Sequence, residues 1–337
     1  MTLRLALAAA LLLTPAVLGP PAAANPADGV SVGLDIGGVY IWGPTLNSFG
    51  TEVEDDPYDW LRDIAPPEEF RSFGPSGSLH VKLPCATFGS EGLFGRDSLR
   101  FDLEGAWVEG HFNHYTEQQP GEYFDIIAID GSGVPDGLGD FAATDGDAAL
   151  GFVFADLTLE HAMLDEEGTK LAFFAGPSLG YVRQQWDVLQ TGSGGSFNYL
   201  VENTNSYYAG AVIGVAARAP LFDGLSGHIE ASAAGLHAWS DLDASQSTAS
   251  SLPIAVEDEQ NGWGARLKVK AGLELVGNNW VRVNLDGTFF WHTNVPTIVN
   301  PDVGPGGNGQ DLRDPARIDH NSIIGAGAMI TFTVPLN

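Results

Sequence analysis

The stretch ARLKVKAGLELVGNNWVRVNLDGTFFWH, residues 265 to 292, decides the fold. Leu267, Val269, Leu273 and Leu275 alternate with Arg266, Lys268, Lys270 and Glu274. After Gly277-Asn278-Asn279 the alternation resumes, with Val283, Leu285 and Phe289 set against Arg282, Asn284 and Asp286. A period of two belongs to an extended strand, whose successive side chains point to opposite faces. Gly-Asn-Asn between two such runs is turn chemistry. With the turn centred there, Glu274 faces Arg282 and Lys270 faces Asp286 on one side, while Leu273 faces Val283 and Leu267 faces Phe289 on the other. Both faces are chemically consistent, one ion-paired and one apolar.

The same alternation recurs along the chain, near residues 29 to 43, 77 to 86, 97 to 114, 147 to 161, 170 to 187, 205 to 219, 225 to 240, 262 to 276, 280 to 293 and 320 to 336. The second of these is short and carries Pro84, which cannot donate to a ladder. The turn at 162 to 169 sets Glu160 against Lys170 and Leu159 against Leu171. Connections alternate: 87 to 96, 162 to 169, 220 to 224 and 277 to 279 are short, whereas 44 to 76, 115 to 146, 188 to 204, 241 to 261 and 294 to 319 are long. Short turns on one side and long loops on the other are the rhythm of a membrane barrel, and an even strand count leaves both termini on the short-turn side. Trp42, Trp186, Trp239, Trp263 and Trp291 fall at or near the long-loop ends, Trp107 in the outer half of its strand and Trp280 at a short-turn end, as interface girdles require. The expected fold is all-β: a closed, antiparallel, up-and-down transmembrane β-barrel of about ten strands, with eight or twelve as alternatives.

The N-terminus supports export. A basic Arg4, an apolar run from Leu5 to Leu13 and Ala22-Ala23-Ala24 before Asn25 read as a signal peptide over residues 1 to 24, leaving 25 to 337 as one domain. The single cysteine, Cys85, allows no disulfide within the chain. No apolar run after residue 25 reaches the length of a membrane helix, so a spanning chain has to close as a barrel. With 43 acidic and 15 basic residues the net charge is −28. That excludes nucleic acid as a partner, because phosphate binding needs clustered cations.

These features, together with the final strand IIGAGAMITFTVPLN from Ile323 to Asn337, make the sequence resemble the transmembrane β-barrel proteins of Gram-negative outer membranes, the porin and OmpA-like class, over essentially the whole chain after residue 25. The resemblance implies an outer-membrane location, contact with outer-membrane lipid and lipopolysaccharide, and insertion by a machinery that reads the last strand. In that class the strand usually ends on an aromatic residue. Here the terminal residue is Asn337, and Phe332 supplies the strand's aromatic ring.

With the apolar face of each strand turned to lipid, Lys82, Arg100, Arg218, Arg266, Lys268, Lys270 and Arg282 face the lumen, together with Asp35, Asp102, Glu104, Asp156, Glu160, Glu230, Glu274 and Asp286. Such a set either fills the barrel with ion pairs or lines a small aqueous pore. The long loops concentrate acid, with Glu52, Glu54, Asp55, Asp56, Asp59 and Asp63 in the first and Asp125, Asp130, Asp136, Asp140, Asp145 and Asp147 in the second. Oxygen ligands from Asp55, Asp56, Asp130, Asp136 and Asp140 are candidates for a divalent cation such as Ca²⁺, although DGSGVPDGLGD lacks the ligand and glycine spacing of an EF-hand loop. No other cofactor is implied. Trp60, Leu61 and Ile64 stand at near-helical spacing in DPYDWLRDIAPPEEF, so a short loop helix is expected before Pro66.

Catalytic constellations are thin. Outer-membrane proteases carry an aspartate pair and an Asp-His pair at the external rim. The nearest groups here are Asp241 with Asp243, and His292. Ser232 with His228 or Glu230 is the closest lipase-like set, on lumen-facing positions, and His111 and His114 lie on opposite faces of a strand. The expected role is non-enzymatic: envelope structure or surface contact through acidic loops. The alternative is a narrow porin-like channel for small cationic or neutral solutes. An outer-membrane protease and a soluble secreted binding domain are weaker readings, and the sequence sets no oligomeric state.

Overall fold

The computed structural model describes residues 30–46, 51–55, 59–63, 68–85, 97–120, 122–132, 136–166, 168–222, 224–275, 281–301 and 314–336. The expected signal peptide, Trp280 and Asp56 lie outside them. The strands are β1 (Val30–Leu46), β2 (Thr51–Asp55), β3 (Asp59–Asp63), β4 (Glu68–Pro84), β5 (Asp97–Glu117), β6 (Glu122–Ile126), β7 (Asp136–Gly137), β8 (Phe141–Glu166), β9 (Thr169–Gly192), β10 (Phe197–Phe222), β11 (Leu225–Thr248), β12 (Ile254–Leu275), β13 (Arg282–Val299) and β14 (Arg317–Leu336). Ten of them close a barrel in the order β1-β14-β13-β12-β11-β10-β9-β8-β5-β4. Each neighbouring pair is antiparallel, and β1 closes on the last strand with Val30 opposite Leu336.

The strands run further than their apolar alternation suggests. The expected loops 188 to 204 and 241 to 261 are mostly strand: β9 and β10 join through a 3-10 turn at Ser193–Gly195, and β11 pairs with β12 as far as Gln246↔Ile254. The physical reason is that these extensions alternate polar against polar, as in Asn198 and Glu202 inside against Asn203 and Asn205 outside, which a hydrophobic period does not register. Asp59–Asp63, expected as part of a helix, is instead a strand paired with β2 in a small sheet of order β3-β2-β6-β7. One turn of helix is too short to nucleate, whereas the edge of β2 offers hydrogen bonds at once.

Register is also corrected. In the β12–β13 hairpin Lys270 lies opposite Thr288, Gly272 opposite Asp286 and Glu274 opposite Asn284, two positions from the expected pairs. A shift of two preserves the faces, so the ion pairs survive on the diagonal: Lys270 to Asp286 at 3.1 Å and Arg282 to Glu274 at 3.8 Å. In β8–β9, Glu160 faces Phe174, and Lys170 pairs with Asp165 at 2.9 Å rather than with Glu160. A bulge between Ala162 and Leu164 and the positive φ of Gly168, +83°, let both strands continue to a tight turn.

Outward side chains form an apolar belt in which Ile36, Leu179, Ile213 and Leu285 stay 54 to 62% exposed. A soluble surface would hide such a belt, and lipid covers it. Above it sit Tyr40 against Trp42 at 4.6 Å, Tyr181 against Tyr207 at 5.2 Å, and Trp107, Trp239, Trp263 and Trp291. Trp186 does not join this girdle. It points inward on β9, is 4% exposed and packs on Phe70 and Phe112.

Candidate functional site

The interior is the candidate site, and it has two layers. On the terminus side most strands contribute charge. Arg100 donates two parallel hydrogen bonds to Glu230, at 2.7 and 2.9 Å, reaches Asp102 at 2.6 Å, and lies over the Phe174 ring at 5.0 Å. Arg266 bridges Asp156 at 2.5 Å and Glu104 at 3.4 Å over the face of Phe154, and Lys268 completes the pairing of Glu104. Lys270 spans Asp35 and Asp286, Arg218 serves Glu274, and Lys82 serves Glu160. All fifteen lumen residues named from the sequence stand in this network.

Two histidines complete it. His80 sits between Asp35, at 2.8 Å, and Asp102, at 2.5 Å, and His228 meets Asp286 at 2.8 Å. Both occupy inward positions of alternating strands, His80 between Ser78 and Lys82, so the period that located the lysines also pointed to them. Opposite charges crossing the interior in bidentate geometry offset the cost of removing them from water. The space left between Glu104, Phe152, Lys268 and Met329 is about 20 Å³, room for one water.

The outer layer is apolar and crossed by chain. Leu150, Phe152, Phe154, Val182, Trp186, Val212, Leu236 and Leu242 point inward and are buried. Above them the ring is not continuous. β13 pairs with β12 only up to His292↔Arg266, and β14 pairs with β1 only up to Ile324↔Trp42, yet β13 and β14 stay paired to Val299↔Arg317. The hairpin leaves the wall and folds inward. A bulge between Thr293 and Val295, with Asn294 at φ 58°, makes the turn. Gly264 permits it, since a Cβ there would stand 2.6 Å from the Thr293 carbonyl and 2.9 Å from the Asn294 Cβ.

The folded hairpin is held from across the lumen. Tyr208 donates to the Asn294 carbonyl at 3.0 Å, Gln184 donates to the Pro296 carbonyl, and the Ile318 amide donates to Asp258 at 2.8 Å. Val295, Ile298 and Ile318 are at most 1% exposed. A second segment caps the mouth: Gln246 donates to the Ile127 carbonyl at 2.8 Å and accepts from the Ile129 amide at 2.9 Å. The Ala316 amide ties that cap to the hairpin's far end by donating to Ile129 at 2.6 Å.

The remaining candidates are not brought together. Asp130 caps the Ser132 amide at 2.9 Å, and the Asp140 amide donates to Ser193. Asp55 and Asp136 are placed by backbone alone, in β2 and β7. Among the described residues no three His, Cys, Asp or Glu side chains converge as metal ligands. Asp241 and Asp243 lie on the outer face of β11, with Asp241 accepting from Asn205, whereas His292 is buried inside, edge-on to Tyr208 and Phe154. Ser232 sits on the same inward face as His228 and Glu230, whose partners are Asp286 and Arg100. Glu202 was not foreseen. It is fully buried beneath the cap, where burial pushes its carboxyl up to about 7 and Asn300 beside it moderates the shift.

No protein-family model and no curated protein matches the sequence. Among solved structures the chain is similar to the outer membrane protease OmpT from Escherichia coli, at 11% identity over 94% of this chain and 99% of that one, with a TM-score of 0.48. It is also similar to a FadL homologue of Pseudomonas aeruginosa, at 9% identity over 92% and 91% with a TM-score of 0.23. A third is the transport unit of the autotransporter AIDA-I from Escherichia coli, at 10% identity over 97% of both chains with a TM-score of 0.26. Its own ring closure, apolar belt and polar interior make this chain a ten-stranded transmembrane β-barrel of the outer-membrane type.

Proposed function

We propose that the protein is a sealed outer-membrane barrel with a non-enzymatic role, acting as an envelope component that presents an acidic outer rim for surface contact. The observation that carries this reading is the double closure of the lumen, by ion pairs on the terminus side and by the inward β13–β14 hairpin under the Gln246-bound cap on the other. Fixed charges without counter-charge would keep a water path open, whereas these are paired across the interior. The extended β8 to β12 walls carry Asp145, Asp147, Asp241, Asp243, Glu257 and Glu259 on their outer face, a repulsive anionic surface toward other anions. Lipopolysaccharide, bridged by divalent cations, is the partner this surface suits.

Planar-bilayer recording of the detergent-refolded protein tests the reading, after heat-modifiable gel mobility shows that the barrel has formed. A folded barrel should be silent. Discrete conductance steps would replace sealing with passage. One observation favours that second reading, a gated conduit: the hairpin that blocks the mouth is paired to neither neighbouring wall strand beyond Arg266 and Trp42. Opening would then appear as rare steps from a mostly closed level.

A further inference from the structure

Near the outer mouth the wall and the plug meet in a set of polar atoms that nothing satisfies. Glu202 and Thr204 are consecutive inward positions of β10, Glu202 between Trp186 and Ala244, and Thr204 between Gln184 and Leu242. Asn300 follows the last residue of β13, at the end of the inward hairpin. The three residues are 0, 0 and 1% exposed. Both Glu202 carboxyl oxygens, the Thr204 hydroxyl and both atoms of the Asn300 amide are buried without a partner in good hydrogen-bond geometry, Asn300 lying near enough to Glu202 only to moderate its charge. The outward Tyr207, 56% exposed, marks the girdle on this strand. Glu202 lies five residues beyond it, about 16 Å along the chain at strand rise, and so outside the lipid-spanning part.

Orphaned polar atoms in this number are rare in native interiors, because each forfeits its hydration. A proton on Glu202 would relieve one oxygen and leave the other three without a partner. A cation relieves the four oxygens together, while the Asn300 NH2, a donor, is left to the Glu202 carboxylate beside it. We propose that Glu202, Thr204 and Asn300 form a binding site for a monovalent metal cation, sodium in the first instance, which clamps the β13–β14 hairpin to β10. The donors are hard oxygens, a carboxylate, a hydroxyl and an amide carbonyl, as alkali and alkaline-earth ions require. Charge selects between these two classes. One carboxylate is neutralised by a single positive charge, whereas a divalent ion would bring an excess charge into a dry site. No Lys, Arg, His or second carboxyl contributes to the electrostatics of Glu202, which burial and Asn300 set alone.

The site stands whether or not the barrel conducts. Its test is the temperature at which the full-length folded barrel loses its compact gel mobility, measured at alkaline pH in sodium chloride and in choline chloride of equal ionic strength. Sodium at about ten times its dissociation constant should raise the midpoint by about 3 °C over choline. Glu202→Gln, which keeps the shape and removes the charge, should lose that difference while matching or exceeding the wild type in choline. Should that variant not fold, Thr204→Val, which drops one ligand and keeps the carboxylate, must raise the sodium concentration at half-effect several-fold. Equal midpoints in sodium and choline for the wild type would overturn the site and assign Glu202 a proton instead. A sodium effect retained in Glu202→Gln, or an unchanged half-effect concentration in Thr204→Val, would overturn it equally, as a general salt response.

Discussion

The Asn294 carbonyl accepts a hydrogen bond from the Tyr208 hydroxyl at 3.0 Å, although the two residues lie on strands separated in the ring by β11 and β12. A contact across the barrel arises because Asn294, at φ 58°, turns β13 off the wall. Tyr208→Phe would leave the carbonyl buried and unpaired, costing about 1 to 3 kcal/mol. Asn294→Gly should be neutral or slightly stabilising, and Asn294→Val should cost more than either, since a β-branched residue resists this backbone region. The midpoint of the heat-induced gel shift orders the three. Equal midpoints for Val and Gly at this position would mean that the hairpin does not turn inward there.

Gly264 lies where the hairpin crosses β12. A Cβ at 2.6 Å from the Thr293 carbonyl meets backbone, which a rotamer change cannot relieve. Gly264→Val should therefore displace the hairpin and convert a silent barrel into a conducting one, with faster proteolysis between residues 294 and 321. Gly235, with nothing within 4 Å of its notional Cβ, is the control position. Silence and unchanged cleavage in Gly264→Val would show that the plug tolerates the added bulk.

In the charged layer, Arg266 is 3% exposed at its side chain and is Asp156's ion-pair partner among the described residues. Replacing it by methionine strands that carboxylate, and the expected loss is about 3 to 5 kcal/mol. Adding Asp156→Leu should recover most of it, because a pair replaced as a whole loses little. A double variant no more stable than Arg266→Met would mean that Arg266 matters through Phe154 and Glu104 rather than through this pair.

Legibility in the sequence followed the hydrophobic period. Where lipid faces one side, as along Leu267, Val269 and Leu273, alternation located the strand and sorted Arg266, Lys268 and Lys270 into the lumen. Beyond the girdle both faces are polar, so the upper halves of β9 to β12 passed for loops. Registers were off by an even number at β12–β13 because faces, not pairings, are what the pattern fixes. Trp186 was misplaced for a related reason: tryptophan at a strand's outer end suits a girdle, but parity on β9 points it inward. The plug left no signal, since Val295 and Ile298 lie three residues apart and break the period of two, so that 294 to 319 reads as loop, and its departure depends on Asn294 and on glycines of another strand. Glu202 could have been noticed as an acid on the inward parity of β10, in phase with Tyr208 and Arg218.

Glu202 also sets a pH dependence. Its folded carboxyl titrates at about 7, above the ordinary 4.5, so folding favours the protonated form. Without a bound cation, stability is greatest below pH 4.5, where the group is neutral folded and unfolded. It falls as pH rises from 4.5 toward 7, because only the unfolded chain ionises freely, and levels off above 7. The total loss is about 3 kcal/mol. Denaturation midpoints in choline chloride, taken for the wild type and for Glu202→Gln across this window, isolate the contribution by difference, since other titrating groups are common to both. Sodium should flatten the wild-type curve from its alkaline end, as the ion replaces the proton on the same oxygens. A difference curve that is flat between pH 4.5 and 7 in choline would mean that Glu202 is reached by water in the folded barrel, and that the cap and hairpin do not close over it.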